Sequence, residues 1–215
     1  MTAAGVVLGC RKDGEEPEVS ATEDLMREHG VIRRALVVYR EAAVRLRTKA
    51  SDVPAAELQK TAKLLRAFAE DYHEKQLEEA HIFPALKRAS VPAAREVDAL
   101  IAQHRRGREI TDYLMVVTGR PLGDADAESA ARAMETFARM YEEHAAREDT
   151  ILFPAWKKTM TPKELDEMGE RFEAIERQAF AGKDGYDEAV GQIEAIERAF
   201  GFELAQFTAP APPKG

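Results

Sequence analysis

Cysteine is nearly absent: Cys10 is the single one in 215 residues. One thiol builds no disulfide framework and no cysteine-ligated zinc or iron–sulfur site. Any metal must therefore be held by nitrogen and oxygen donors. Positive charge is in deficit, with 31 Lys and Arg against 39 Asp and Glu and a formal net charge of −8. Nucleic acid is excluded as the expected partner, because neutralising phosphates takes a basic face. No apolar run approaches the roughly 18 residues of a transmembrane helix. Aromatic residues make up only 7%, whereas Ala, Leu, Glu, Arg and Lys are frequent, a mix that favours helices over strands. The 45% of hydrophobic residues suffice for a core, and the length suits one domain with an appendage.

The N-terminus reads two ways. V-L-G-C (Val7 to Cys10), followed by a polar stretch to Ser20, looks like a lipoprotein cleavage site with its tether. Yet only nine residues precede Cys10 and none is Lys or Arg, whereas an export signal has a basic start and a longer apolar stretch. The stump of a signal would place the protein at the cell envelope. A polar tail with a free thiol, on a cytoplasmic protein, is the favoured reading.

From about residue 21 the pattern is helical. Leu25, Ile32, Leu36, Tyr39, Ala43 and Leu46 recur at helical spacing over about 22–48, and Ser20 with Glu23 has capping-box spacing. Pro54 opens a second helix to about 81, with Leu58, Leu64, Leu65 and Phe68 inward and Pro84 disturbing its end. A third spans about 92–117 and a fourth about 126–158. T-P-K-E (Thr161 to Glu164) combines a capping box with proline at the first helical position and starts a fifth. Gly182 to Gly185 breaks it, and a sixth runs over about 186–200. The expected division is a flexible segment 1–20, a core 21–160, a helical extension 161–202 and a disordered tail 203–215. The extension is expected to cover one end of the bundle or to form a homodimer interface.

The second and fourth helices end alike: E-E-A-H-I-F-P-A-L-K-R (Glu78 to Arg88) and E-D-T-I-L-F-P-A-W-K-K (Glu148 to Lys158) align without a gap. Upstream of each lies a histidine, His73 or His144, and one helix earlier another, His29 or His104. Two helix pairs related by a pseudo-twofold make an all-α, up-down four-helix bundle with two additional C-terminal helices. Imidazole and carboxylate suit iron, manganese or zinc, and in a bundle such ligands project inward. Four histidines and two carboxylates, Glu78 and Glu148, thus form a twofold site for two metal ions.

His144 and Glu148 are four apart and share a helix face. His73 and Glu78 are five apart, which in a straight α-helix turns one away from the other by about 140°. A π-bulge or local unwinding between them is expected. His81, three residues after Glu78 and without a match in the second half, is an additional candidate at or just outside the metals. Tyr39, Tyr72, Tyr113 and Tyr141 are candidates to point inward. Arg27, Arg105, Arg106 and Arg108 read as surface charges.

The chain resembles the hemerythrin-like, or HHE cation-binding, family. The matching elements are D-L-M-R-E-H (Asp24 to His29), Y-H-E-K-Q-L-E-E (Tyr72 to Glu79) with I-F-P, Q-H-R (Gln103 to Arg105) and H-A-A-R-E-D (His144 to Asp149) with L-F-P. The resemblance implies two iron ions with an oxo or hydroxo bridge, held by His29, His73, Glu78, His104, His144 and Glu148. Oxygen-carrying hemerythrins have a fifth histidine four residues after the one matching His104; here that position is Arg108, which opens a metal position and argues against a pure oxygen carrier. A ferritin-like site is disfavoured: E-D-Y-H (Glu70 to His73) and E-E-A-H (Glu78 to His81) lie on one helix, and the fourth helix has Tyr141 where glutamate would be needed. The expected function is binding of O2, NO or a related small oxidant, for sensing, storage or detoxification. The alternatives are an oxidoreductase acting on peroxide or NO, and iron donation in iron–sulfur cluster repair.

Overall fold

The computed structural model describes residues 19–213. Cys10 and the export-signal reading lie outside the described residues. Ser20 starts the first helix, α1 (Ala21–Lys49), with its hydroxyl accepting from the Glu23 N–H. That is the hydroxyl half of the expected capping box. The buried stripe of α1 contains all six apolar residues expected there, Leu25 to Leu46.

The second rod, α2 (residues 55–89), is continuous and changes pitch twice. It is α-helical over Ala55–Leu64, π-helical over Leu65–Ile82 and α-helical again over Phe83–Ala89. The expected bulge is therefore an expanded stretch of 18 residues, where most π-helices are single turns. Its buried positions explain the pitch. Leu65, Ala69, His73 and Leu77 form one buried row and Glu70, Glu74, Glu78 and Ile82 a second, each with a step of four residues, slower than the 3.6-residue turn of an α-helix, and Phe68 and Tyr72 widen the buried face. The rod also runs past the end expected near residue 81. Pro84 directly follows the change from π to α pitch, and Phe83 N–H donates to the Glu78 carbonyl one π turn back.

A 3-10 turn (Pro92–Glu96) leads into α3 (Val97–Val117). The fourth rod, α4 (residues 124–157), repeats the device of the second. It is α-helical over Asp124–Arg147, makes one π turn at Glu148–Leu152, and resumes as Phe153–Lys157 with Pro154 in its first turn. Phe153 N–H donates to the Glu148 carbonyl, as Phe83 does to Glu78.

α1 packs on α2 and α4, and α3 closes the other side against the same two rods, giving an up-down four-helix bundle. Tyr39 meets Phe137 edge-on in its core, at 5.6 Å between centroids. α5 (Pro162–Ala179) starts at the expected capping box of Thr161 and Glu164. Ala181 and Gly182 turn the chain with φ of 54° and 85°, a region in which glycine pays no Cβ penalty. α6 (Gly185–Phe200) follows, capped by Asp184. Both extra helices lie along α1 and α2. They bury Leu165, Phe172, Ile193, Ile196 and Phe200, each contributing on the order of 1.5–3 kcal/mol of burial. Phe172 stacks on Trp156 at 5.7 Å. Among the described residues there is no strand, and no helix is long and apolar enough to cross a membrane.

Candidate metal centre

Each core rod turns one histidine inward: His29 from α1, His73 from α2, His104 from α3 and His144 from α4, all 3% exposed or less. Their Nε2 atoms face each other in two pairs. His29 and His73 approach to 3.1 Å, and His104 and His144 to 3.0 Å. Two carboxylates lie between the pairs. Glu78 presents Oε1 to His73 Nε2 and Oε2 to His104 Nε2, each at 3.3 Å. Glu148 Oε2 is 3.0 Å from His144 Nε2 and 3.5 Å from His29 Nε2. The expanded pitch of α2 lets Glu78 face both halves although it lies five residues from His73. In α4 the ordinary spacing of four already puts Glu148 beside His144. The six candidate residues of the sequence thus converge in one buried cluster with the symmetry of the repeat.

The outer nitrogen of every imidazole is engaged. His73 Nδ1 meets Glu28 at 2.5 Å, His104 Nδ1 meets Glu79 at 2.9 Å, His144 Nδ1 meets the Gln103 side-chain oxygen at 2.9 Å, and His29 Nδ1 meets Asp149 at 2.7 Å. These acceptors close a ring around the bundle, α1 to α2 to α3 to α4 and back to α1. An acceptor at Nδ1 fixes the proton there and turns the Nε2 lone pair inward. Sequence reasoning missed these four roles. The signal was adjacency, since every acceptor is the chain neighbour of a candidate ligand: Glu28 of His29, Glu79 of Glu78, Gln103 of His104, Asp149 of Glu148.

All four carboxylate oxygens of Glu78 and Glu148 are buried with no hydrogen-bond partner. Among the described residues the other such side-chain atoms are the Tyr39 hydroxyl and Glu70 Oε2. Leaving a buried polar atom unsatisfied costs about 1–3 kcal/mol, and four around one point indicate a missing partner that accepts electron pairs. A donor set of imidazole lone pairs and unpaired carboxylate oxygens fits divalent cations of the iron, manganese and zinc group. Glu78, His104, His144 and Glu148, and likewise His29, His73 and Glu78, bring ligand atoms within 4.8 Å of one another.

Without a cation the cluster redistributes protons. Burial opposes charge on His73, but Glu78 and Glu28 override it and raise its pKa well above the usual value. His104 is likewise raised to about 10 against its burial, by the carboxylates around it, Glu74 first and then Glu78 and Glu79. Burial and then the His104 charge push His144 down to about 3. Glu78 is held well below the ordinary range despite burial, by His73 and His104. Glu148 is driven well above it by burial and by Glu78.

Arg108 departs from the expected surface charge. Its side chain is 16% exposed and bonds Glu74 at 3.0 Å and Glu79 at 2.9 Å. It fills with its own cation the place where Glu74, Glu79 and His104 Nδ1 would otherwise form a third acidic group. Tyr141 donates to Glu74 and Tyr72 to Glu28, so both phenols serve the outer carboxylates, Tyr39 is buried without a partner, and Tyr113 is 37% exposed. Gly107 makes room for Tyr141, whose hydroxyl lies 2.2 Å from where a Cβ would stand. His81 does not join the cluster. Three residues beyond Glu78 it faces the added helix, its ring 5.8 Å from that of Phe172, and it is absent from every group of converging donors.

Comparison with known proteins agrees with this geometry. The family model for the hemerythrin HHE cation binding domain matches residues 20–156. An uncharacterized protein of Mycobacterium bovis and two of Mycobacterium tuberculosis strains are each 40% identical over 225 aligned residues, covering 96% of this chain and 87% of the relative. No solved structure matches. The repeat, the bundle and the inward histidines are thus those of a member of the hemerythrin HHE cation-binding family, to which this chain belongs.

Proposed function

We propose that the chain is a non-haem di-iron protein that binds a small ligand such as O2 or NO. His29 and His73 hold one ion, His104 and His144 the other, and Glu78 and Glu148 serve both. The observation that carries this reading is the set of four orphaned carboxylate oxygens between two inward imidazole pairs. Two histidines and the two shared carboxylates give each ion nitrogen and oxygen donors of the kind that suit non-haem iron, and fewer than six donors leave coordination positions open. Bound iron supplies reversible one-electron chemistry and an acceptor orbital for a diatomic ligand. The protein supplies the rest. The ring of Nδ1 acceptors fixes the imidazoles, Phe83 and Phe153 stack on His104 and His29 at 5.6 and 5.4 Å, and the burial of all six side chains excludes bulk water.

Metal analysis by mass spectrometry, with optical spectra before and after exposure to O2 and to NO, tests the proposal. Two irons per chain and reversible charge-transfer bands are expected. Full iron loading with no spectral response to either gas removes the ligand-binding role. Sustained consumption of peroxide or NO, lost in His144→Ala, turns the conclusion toward an oxidoreductase.

A further inference from the structure

The pseudo-twofold that relates the two halves also maps their outer residues. Glu79 corresponds to Asp149 in the aligned helix ends, and Glu28, next to His29, corresponds to Gln103, next to His104. The arginines correspond too. Arg33 lies four residues after His29 and Arg108 four after His104. Arg33 bonds Asp149, the acceptor of His29, and Arg108 bonds Glu79, the acceptor of His104.

The correspondence is chemically unequal at two places. The His29 and His73 imidazoles lean on two carboxylates, Asp149 and Glu28. The His104 and His144 imidazoles bond one carboxylate, Glu79, and one neutral amide, Gln103; a second carboxylate, Glu74, stands off at 3.9 Å from His104 Nδ1 and is itself tied to Arg108 at 3.0 Å. The arginines differ in the same sense. Arg33 is 42% exposed, so solvent screens its charge on Asp149, whereas Arg108 is 16% exposed and draws more fully on Glu79. A carboxylate at the outer nitrogen raises the basicity of a ligating imidazole, and loss of such a partner costs roughly 10- to 100-fold in metal affinity.

We infer that the two metal positions are unequal by construction, the His29/His73 position binding the more tightly and the His104/His144 position being the weaker, and that Gln103 and Arg108 are the positioning residues that make it so. The inference rests on the di-metal reading above and deepens it. An ion at the weaker position exchanges first, so one half of the centre anchors and the other is the replaceable one.

Titration of the metal-free protein with Co(II), followed by its visible d–d bands and by calorimetry, separates the possibilities. The wild type should bind two ions in two resolved steps. Gln103→Glu, which preserves shape and adds a carboxylate, should tighten the second step by about 10-fold and draw the steps together. Asp149→Asn should weaken the first step by about 10-fold or more and leave a folded protein by circular dichroism. Two ions bound with equal affinity overturn the inference and leave the di-metal reading standing. So does a folded Gln103→Glu protein whose second step is unchanged, or an Asp149→Asn effect confined to the second step. Failure of the wild type to bind any cobalt overturns the di-metal reading itself, and the inference with it.

Discussion

Glu148 is the side chain at which folding and function conflict most. It is fully buried, and both its oxygens lack a hydrogen-bond donor. In the metal-free protein Glu148→Met keeps the length of the side chain and removes both polar atoms. Two unsatisfied atoms at about 1–3 kcal/mol each set a gain of about 2–6 kcal/mol. The imidazoles of His144 and His29, at 3.0 and 3.5 Å, lose a polar neighbour in exchange, which brings the expected gain to the low end, about 2 kcal/mol. For a chain of this length that is a rise of about 4–8 °C in melting temperature. The gain should grow with pH. A buried carboxyl whose pKa is raised in the folded state contributes less stability as pH climbs above its unfolded value, and Glu148 is so raised by burial and by Glu78. Thermal melts in chelator at pH 5 and pH 7.5, with metal content measured in parallel, should show a stabilised variant that no longer retains two ions. A Glu148→Met protein that is less stable without metal than the wild type would refute the reasoning, because Glu148 would then be holding the fold rather than awaiting a cation.

Other perturbations have opposite or null expectations. His104, raised to about 10 in the metal-free protein, contributes stability that is full below its unfolded pKa near 6.5 and is lost as pH rises through about 10. Metal affinity should move the other way, rising with pH as ligands shed protons, so adding Co(II) near pH 7 should release protons to an indicator dye. Gly107→Ala brings a Cβ to within 2.2 Å of the Tyr141 hydroxyl. Overpacking should outweigh the helix-propensity gain and destabilise by about 1–3 kcal/mol in urea unfolding. His81→Ala should leave metal content and optical bands unchanged, since its ring lies against Phe172; loss of an ion would contradict its placement.

The fold was readable because its determinants are periodic and local: apolar stripes on α1, the T-P-K-E start of α5, and two copies of one helix end. The six candidate ligands were readable for a related reason. Histidine is scarce in this chain, and a repeat places the same rare residues twice. What escaped depends on rotation about helix axes. Arg108 carries the sequence signature of a solvated charge, and only the packing of α3 on α2 turns it to Glu74 and Glu79. The ring of acceptors escaped because each bonds the imidazole of the next helix and not of its own neighbour, so that Glu28 sits beside His29 but serves His73. The extent of the π-helix escaped because the spacing from His73 to Glu78 demands one extra residue, whereas the burial of Leu65, Ala69 and Ile82 extends the slower pitch over the whole stretch.

That pitch makes the one-residue excess of the first half testable. Lys75 and Gln76 lie between the two candidate ligands and are both exposed. The Gln76 side-chain amide donates to the Asp71 carbonyl five residues back. Deleting Gln76 leaves His73 and the present Glu78 four residues apart, the spacing that His144 and Glu148 already use in α geometry. If the expanded pitch serves to bring those two side chains onto one face, the shortened helix can meet the same need in α form, where four residues return to within about 40° of the starting face. The deletion variant should therefore fold and retain two ions per chain, with helical circular dichroism undiminished. The burial pattern upstream makes the opposing case, because Glu70 and Glu74 are also drawn inward by the slow pitch and hold Thr111 and Arg108. A variant that folds yet binds one ion, through His104 and His144 alone, would show that the π-helix is required by this whole buried polar row and not by the ligand pair.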